Sequence, residues 1–386
     1  MNETGKRIPE LRVEGFIDDW EQRKLGEVST LSSSKRIHLS DYVKSGVPFY
    51  RGSEISNGGV SGESELFISE SLYMEIKEKY GVPIEGDLLI TAVGTLGNVW
   101  KVDNRRFYYK DGNLIRISDL QGESDYLSSY FSDSPGKKKL LDSAAGSNQK
   151  ALTMVKMREI TIPFPALEEQ KKIGTFFKQL EATIALHQDK QQKLGLLKKR
   201  LVKELFPQDE WNLPHIRFAN FNNAWEQHQL KEVLRVNSGR DYKHLNEGDI
   251  PVYGTGGYML SVDGKLSDVD SIGLGRKGTI DKPQYLRAPF WTVDTLFYLT
   301  PFPNYDIYFL FTLTQSINWK TMDESTGVPS LSKAVIEKVT RTFPSFEEQK
   351  KIGLFFKQLD ETISHHQQKI DNMKSLKRAL LNKMFI

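Results

Sequence analysis

Two short loops of this 386-residue chain combine glycine with side chains that can bind nucleic acid. Residues 276–280 are Arg-Lys-Gly-Thr-Ile, and residues 92–96 are Ala-Val-Gly-Thr-Leu. Glycine lets a backbone approach a ligand closely, while threonine hydroxyls and backbone amides donate hydrogen bonds to phosphate oxygens. Either loop alone is most often an ordinary turn. Their occurrence at matching places in two halves of the chain favours contact with DNA.

Three further polar loops occur in the two halves of the chain. Residues 253–258 are Tyr-Gly-Thr-Gly-Gly-Tyr, residues 146–150 are Gly-Ser-Asn-Gln-Lys, and residues 325–330 are Ser-Thr-Gly-Val-Pro-Ser. Asparagine and glutamine suit adenine edges, and arginine or lysine suit guanine. The candidate DNA-binding residues are Arg51, Ser53, Thr95, Asn98, Lys101, Asn113, Asn148, Gln149, Lys150, Arg240, Tyr253, Thr255, Tyr258, Arg276, Lys277, Thr279, Thr295 and Ser330.

The motifs of common catalytic sites are missing from the sequence. Residues 273–279 lack the spacing and the Lys-Thr ending of a nucleotide-binding P-loop, and no Asn-Pro-Pro-aromatic or G-x-S-x-G motif occurs. The chain has no cysteine, which excludes thiolate metal sites and cysteine nucleophiles. We therefore expect a protein that recognises and positions other molecules, with no catalytic residue, metal or cofactor of its own.

Composition predicts a soluble protein of the cytoplasm. The N-terminus has no signal-peptide pattern, and no apolar run approaches the roughly 20 residues that cross a bilayer. The net charge is only +3, and the segments 168–207 and 347–386 are both basic. The rest of the chain is therefore slightly acidic, so DNA binding would need local basic groups or a partner that supplies positive charge.

An internal repeat organises the elements that must position these loops. Residues 168–180, EEQKKIGTFFKQL, return at 347–359 as EEQKKIGLFFKQL, a shift of 179 positions. A second echo relates Arg12 and Trp20 to Arg217 and Trp225, a shift of 205. The segments between the two echoes differ in sequence and length. This pattern predicts a tandem duplication with a pseudo-two-fold relationship.

Each repeated motif begins a long amphipathic helix. Apolar residues recur at intervals of three and four, and two acidic residues follow Pro165 and Pro344, where they complement the helix dipole. A helix with one apolar seam needs a partner, so we expect the two helices, each of about 39 residues and ~60 Å, to pair antiparallel as a coiled coil. The predicted seam residues are Ile173, Phe177, Leu180, Ile184, Leu194, Leu201, Ile352, Phe356, Leu359, Ile363, Ile370 and Leu380, together with Leu197 and Leu376. His187 and His366 hold matching seam positions, where a polar pair that sets the register is expected more than a metal site.

Short β-type runs and shorter helices fill the two variable parts. Candidate strands are 48–51, 88–91, 99–102, 114–117, 250–253, 271–274, 284–287 and 295–299, and Thr153 and Ser332 are candidate helix caps. The predicted fold is two α/β (α+β) domains in tandem, separated by two long helices in an antiparallel coiled coil. The predicted boundaries are 1–160 for the first domain, 161–207 for the central helix, 208–341 for the second domain and 342–386 for the C-terminal helix.

At the repeated motif the chain resembles the specificity subunits of type I restriction-modification enzymes. The resemblance rests on Pro165 with 168–173, on Pro344 with 347–352, and on the Pro-x-x-Arg-x-x-x-Phe-x-x-x-Trp-Glu opening of each half. It also includes 251–254, 275–280 and 290–295 in the second half. The first half departs at Ala92-Val93, where the second has Arg276-Lys277, so the resemblance gives no support for a phosphate contact at that place.

The resemblance implies two target-recognition domains that each bind one half of a split, asymmetric sequence in double-stranded DNA. It implies a helical support for methyltransferase subunits, commonly two, and for restriction subunits that cleave DNA. S-adenosylmethionine, ATP and magnesium would then bind the partner subunits, and the chain itself would be no enzyme and bind no membrane. One alternative is a coiled-coil scaffold that joins proteins without binding DNA, which sequence-selective, salt-sensitive DNA binding with the partner present would exclude. The other is a self-contained nuclease or methyltransferase, which methyl transfer or cleavage by the chain alone would support.

Overall fold

The computed structural model describes residues 8–56, 58–60, 62, 64–146, 150–207 and 213–386. Its contacts divide the chain into two units: residues 1–187 with 369–386, and residues 188–368. Each unit therefore contains one variable domain together with parts of both long helices.

Short strands and helices make up the first unit. The strands are β1 (Glu21–Lys24), β2 (Thr30–Ser32), β3 (Tyr42–Val43), β4 (Val47–Tyr50), β5 (Ile55–Ser56), β6 (Gly59–Val60), β7 (Phe67–Ile68), β8 (Leu88–Thr91), β9 (Val99–Lys101), β10 (Tyr108–Tyr109), β11 (Leu114–Ser118) and β12 (Thr161–Phe164). The helices are α1 (Leu25–Val28), α2 (Glu70–Tyr80), α3 (Ser124–Phe131), α4 (Pro135–Asp142), α5 (Met154–Arg158) and the beginning of α6 (Leu167–Leu205).

Two four-stranded sheets form the body of the first unit. One is antiparallel, in the order β2-β11-β8-β9, and the other is mixed, in the order β10-β4-β7-β3. Leu89 of β8 belongs to the core of the mixed sheet, while Leu88 and Ile90 belong to the core that also covers α3 and α6. The alternation arises because successive side chains of a strand point to opposite faces of its sheet. A single strand thus joins the two cores.

The second unit follows the same plan with longer strands. The strands are β13 (Glu226–Gln229), β14 (Leu234–Ser238), β15 (Glu247–Gly254), β16 (Gly257–Val262), β17 (Ser271–Gly275), β18 (Gln284–Leu286), β19 (Trp291–Thr292), β20 (Leu296–Pro301) and β21 (Thr340–Phe343). The helices are α7 (Leu230–Val233), α8 (Ile307–Ser316), α9 (Lys333–Lys338) and the beginning of α10 (Phe346–Met384). An antiparallel sheet, β14-β20-β17-β18, lies beside a mixed sheet, β16-β15-β19.

The long helices α6 and α10 have 39 residues each, as predicted. Within the second unit, Gln191 Nε2 lies 2.6 Å from Gln367 Oε1 and Lys198 Nζ lies 2.6 Å from Asp360 Oδ1, so the helices run antiparallel. Within the first unit, Lys377 Nζ lies 2.6 Å from Glu181 Oε1. The two ion pairs occupy positions that the shift of 179 makes equivalent, because Glu181 corresponds to Asp360 and Lys198 to Lys377. The predicted antiparallel coiled coil is confirmed.

Most sequence-based expectations about elements agree with the structure. Of the fourteen predicted seam residues, all except Leu197 and Leu376 are buried or half-buried. The eight candidate strands match β4, β8, β9, β11, β15, β17, β18 and β20 within a few residues at each end. Thr153 and Ser332 cap α5 and α9 by accepting hydrogen bonds from the amides of Lys156 and Val335.

Two seam predictions were wrong. Leu197 and Leu376 are 46% and 52% exposed. The register of the ion pairs places Glu361 opposite Leu197 and Ala182 opposite Leu376, and neither residue covers a leucine. Separately, among the helices that the structure describes, none has the length and apolar content needed to cross a bilayer.

Candidate nucleic-acid interface

In each unit, a buried ion pair joins the segment before the first strand to the first turn of a long helix. In the first unit, the Arg12 guanidinium donates to both carboxylate oxygens of Glu169, at 2.8 and 2.9 Å. In the second, Arg217 donates to both oxygens of Glu348, at 2.7 Å each. Each carboxylate raises the pKa of its arginine, chiefly through these hydrogen bonds. Bidentate pairs of this kind fix orientation as well as distance.

The glutamine that follows each glutamate joins three segments. Gln170 Nε2 donates to the Pro165 carbonyl at 2.8 Å, and its Oε1 accepts from the Glu123 amide, at the start of α3, at 2.9 Å. Gln349 makes the same bonds to the Pro344 carbonyl at 2.9 Å and to the Asp306 amide, at the start of α8, at 3.2 Å. The repeated Glu-Glu-Gln motif is therefore a structural junction.

The variable part of each unit begins and ends at one place. The Leu25 amide donates to the Ile160 carbonyl at 2.9 Å, and the Leu230 amide donates to the Val339 carbonyl at 2.9 Å. Next to these bonds, β1 pairs with β12 and β13 pairs with β21. We call residues 25–160 the first insert and residues 230–339 the second insert. The repeated contacts at and outside these boundaries form the frame, together with the bonds that the Glu123 and Asp306 amides inside the inserts donate to Gln170 and Gln349.

In the second insert, the second Gly-Thr turn (276–281) is held on both sides by backbone bonds. The Arg276 amide donates to the Thr295 carbonyl at 2.8 Å, and the Gly278 amide donates to the Pro329 carbonyl at 2.8 Å. Lys277 also forms an isolated β-bridge with Ser330. The side chains of Arg276 and Lys277 are exposed. The turn thus presents two cations from a fixed backbone.

The loop 323–330 is ordered by one carboxylate. Asp323 Oδ1 accepts from the Ser325 amide at 3.0 Å, the Ser325 hydroxyl at 2.8 Å and the Ser330 amide at 2.9 Å. These bonds, led by the one from Ser330, lower the pKa of Asp323. Because the folded-state pKa is depressed, the bonds are in place at neutral pH and are lost only as the pH falls through that pKa. Val328 at the tip is 65% exposed.

A β-hairpin completes this part of the second insert. Strands β15 and β16 meet at the pair Gly254 and Gly257, and Gln284 Nε2 holds the turn through the carbonyls of Gly254, at 2.9 Å, and Thr255, at 3.1 Å. The Thr255 hydroxyl lies 3.9 Å from the position of a Cβ built on Gly278. Tyr258 is 62% exposed. The hairpin and the second Gly-Thr turn therefore lie side by side.

Six of the nine candidates in the second insert lie at these loops: Thr255, Arg276, Lys277, Thr279, Thr295 and Ser330. Tyr253 and Tyr258 flank them on the hairpin, with ring centroids 6.4 Å apart. The Arg240 side chain is exposed, and the Arg240 backbone carbonyl accepts a hydrogen bond from Trp291 Nε1 at 2.9 Å. A contiguous polar surface with two cations, hydroxyls and an exposed aromatic ring suits contact with DNA phosphates and base edges.

In the first insert, three chain segments meet at the first Gly-Thr turn (92–97). The Ala92 amide donates to the Asn113 carbonyl at 2.8 Å, and the Leu152 amide donates to the Ala92 carbonyl at 2.9 Å. A Cβ built on Gly52 would lie 3.5 Å from the Asn113 carbonyl oxygen. These contacts bring Ser53, Thr95 and Asn113 to one place. Ser53 and Thr95 are exposed, and Asn113 is half-buried.

Three other candidates in the first insert have side chains that bond to other residues of the chain. Arg51 forms ion pairs with Glu54 at 3.2 Å and Glu65 at 2.7 Å, and these acids raise its pKa. Lys101 is paired with Asp125 at 2.6 Å. The Asn98 side chain donates to the Ile55 carbonyl at 3.1 Å.

The remaining candidates lie in the loop before α5. Lys150 is exposed, next to the bridge between Ala145 and Ala151. Asn148 and Gln149 lie outside the described residues. For all eighteen candidates, a role in DNA binding stays a prediction.

Two features of the site were not predicted from the sequence. The first is the burial of Glu169 and Glu348, which were interpreted only as partners of the helix dipole. The recurrence of Arg12 with Glu169, and of Arg217 with Glu348, was the available signal. The second is the position of α4, whose Lys137 donates to the Gly97 carbonyl of the first Gly-Thr turn. As to metals, no cluster of three or more His, Cys, Asp or Glu residues suited to an ion occurs among the described residues.

Comparison with known proteins places this geometry in a family. The model of the family described as type I restriction modification DNA specificity domain matches residues 17–196 and 222–375. A Haemophilus influenzae protein described as a type I restriction enzyme specificity subunit is 30% identical over 161 residues, which are 41% of this chain and 39% of that protein. The MjaVIII specificity subunit of Methanocaldococcus jannaschii is 22% identical over 244 residues, which are 62% of this chain and 53% of that protein. The chain thus spans about half or less of the length of these two relatives.

A solved structure has the same fold. The S subunit of a type I restriction-modification system from M. genitalium superposes with a TM-score of 0.73 at 18% identity, over 98% of this chain and 99% of that one. The two matched segments of the family model correspond to the two halves of the repeat and cover most of the sequence. The chain belongs to the type I restriction-modification DNA specificity family.

Proposed function

We propose that this chain is the subunit that gives a type I restriction-modification complex its DNA specificity. Each insert would bind one half of a bipartite, asymmetric target in double-stranded DNA, and the paired helices would fix the gap between the halves. The observation that carries this proposal is the contrast between a frame whose contacts repeat almost bond for bond and inserts whose exposed loops differ. A repeated frame with different loops suits two different half-sites.

The chemistry would belong to partner subunits. Methyltransferase subunits, two in number as the resemblance implies, would bind S-adenosylmethionine, and restriction subunits would use ATP and magnesium. One solved structure is described in terms of the complex assembly of a type I restriction-modification system. It is similar to this chain in fold, with a TM-score of 0.51 at 15% identity. This supports an assembly with partners. The present chain would contribute recognition and positioning.

Exchange of one insert tests the proposal. Residues 25–160 would be replaced by the corresponding insert of a relative, and methylated adenines would be mapped in the DNA of cells that carry the chain with its methyltransferase subunits. We expect one half-site to change while the other half-site and the gap stay the same. A change in both half-sites, or in neither, would contradict the proposal. Absence of any site-specific methylation with the unaltered chain would favour the scaffold alternative.

A further inference from the structure

The two Gly-Thr turns differ in charge at equivalent positions. In the second turn, Arg276 and Lys277 are exposed, and among the described residues neither has a carboxylate partner within ion-pair distance. The first turn has Ala92 and Val93 there, so its own sequence supplies no cation. If both inserts bind half-sites of the same polyanion, the first turn needs positive charge from another element.

Helix α4 brings such charge to the first turn. Its sequence begins Pro-Gly-Lys-Lys-Lys, and Lys137 Nζ donates to the carbonyl of Gly97, the last residue of the turn. A Cβ built on Gly97 would lie 3.2 Å from Leu140 and 3.4 Å from Lys137 Cε, so α4 packs directly on the turn. Lys138 is exposed and has no ion-pair partner in the part of the chain that the structure describes.

The two inserts carry their cations in different places. The shift of 179 places Ser316, Ile317 and Asn318 of the second insert where the first has Lys137, Lys138 and Lys139. The second insert therefore has cations on the turn and none at positions 316–318, of which only Ser316 is helical. The first insert has cations at the helix positions and none in residues 92–97 of the turn.

A purely structural role for Lys137 is the competing interpretation. The second turn has a comparable anchor, since Lys320 Nζ lies 2.8 Å from Asp281 Oδ2. The two anchors differ in charge, however. The carboxylate of Asp281 neutralises Lys320, whereas the carbonyl of Gly97 leaves the charge of Lys137 in place. The pKa of Lys137 is lowered by burial, and the nearby Asp133 offsets that shift only in part.

We propose that Lys137 and Lys138 of α4 contact the DNA backbone beside the first Gly-Thr turn, in the role predicted for Arg276 and Lys277 at the second. The proposal rests on the function proposed above. Phosphate contacts fix the position of a protein on DNA and carry no base identity. These lysines therefore contribute affinity and salt dependence at the first half-site without selecting its sequence.

Salt titration of DNA binding tests this assignment. The chain in complex with its methyltransferase subunits would bind duplexes with and without the target site over a range of KCl concentrations. Each of K137Q and K138Q should weaken binding to both duplexes by about fivefold near physiological salt and reduce the salt slope by roughly 1. The preference for the target duplex should remain.

Matched controls separate the possible outcomes. Lys77 is an exposed lysine of α2, which packs on the other core of the first unit, so K77Q should leave the slope unchanged. Because Lys137 is half-buried, thermal unfolding of K137Q would be measured, and the exposed Lys138 provides a variant that leaves the anchor intact. A slope for K138Q equal to that of K77Q, in a folded complex, would overturn the proposal. Failure of the unaltered complex to prefer its target would instead overturn the proposed function.

Discussion

At the scale of single residues, the frame depends on two glutamates that have no contact with solvent. The side chain of Glu169 is 0% exposed and that of Glu348 is 1% exposed, and each neutralises one arginine. Removal of one partner from a buried pair leaves an uncompensated charge in the interior, which is much more costly than the loss of a surface pair. The neighbouring Glu168 and Glu347 are exposed partners of nearby lysines.

We expect Glu348→Ala to destabilise the second unit by about 3–5 kcal/mol, because it leaves the Arg217 guanidinium unpaired and largely buried. Glu347→Ala is the matched control, since it removes an adjacent carboxylate whose side chain is 72% exposed. That variant should lose less than about 1 kcal/mol. Urea unfolding followed by tryptophan fluorescence measures both. Equal losses in the two variants would show that the buried pair has no special role.

Sequence analysis found the loops of the candidate interface but could not tell which of their side chains were free. Arg51 and Lys101 have the residue types expected at a DNA surface, yet Glu65 and Asp125 neutralise them. These acids lie 14 and 24 residues away in sequence, and only the folded chain brings them into contact. Arg276 and Lys277 have exposed side chains, but they stand where the first half has Ala92 and Val93, so the repeat supports the Gly-Thr turn and not these two cations.

At the scale of elements, the long helices were the most predictable feature. Their apolar period continues over 39 residues, so local errors cancel. Leu197 and Leu376 were misplaced because the period shows which residues share a face and gives no information about the residue that faces them. Strands of two residues, such as β3 and β10, have too short a pattern to be predicted, and their pairing depends on distant strands.

The gap between half-sites should follow the length of these helices. A seven-residue insertion in each, after Asp189 and after Gln368, adds two turns and about 10 Å, the length of roughly three base pairs. A heptad keeps the apolar seam in register. We expect the gap to increase by up to that number, with both half-sites unchanged.

Mapping of methylated adenines measures this gap. An insertion in α6 alone is the control, because it displaces one helix against the other and should lower the temperature of unfolding. A wider gap is not expected from that variant. If the double insertion altered the half-sites and left the gap unchanged, the helices would not be the spacing element.

At the scale of the whole molecule, the duplication was clear from the sequence because its two shifts, 179 and 205, each hold over long segments. The sequence could not show what the repeated residues do. The structure shows that many of them make the same bonds in each unit, although Trp20 Nε1 donates to Glu169 Oε2 at 3.1 Å and Trp225 Nε1 has no hydrogen-bond partner among the described residues. The Arg12–Glu169 pair, the Gln170 junction and the Glu181–Lys377 pair recur as Arg217–Glu348, Gln349 and Asp360–Lys198.

Since the frame contacts match, a second copy of residues 230–339 should fit in place of residues 25–160. We expect the resulting chain, with its methyltransferase subunits, to methylate a target in which both half-sites are the one that the second insert binds. Methylation mapping and the unfolding temperature would be measured together. A folded chain that kept the original first half-site would show that recognition lies outside the inserts.

The hydrogen bonds from Leu25 to Ile160 and from Leu230 to Val339 have a consequence for how such proteins change. The second insert is 26 residues shorter than the first, yet both leave the frame and return to it across one bond of 2.9 Å. Length can therefore differ between these points, provided that an insert keeps the residues that contact the long helix, such as Glu123 or Asp306 at the glutamine junction. A single genetic crossover at each boundary would give a new DNA preference in one step, with folding and assembly preserved.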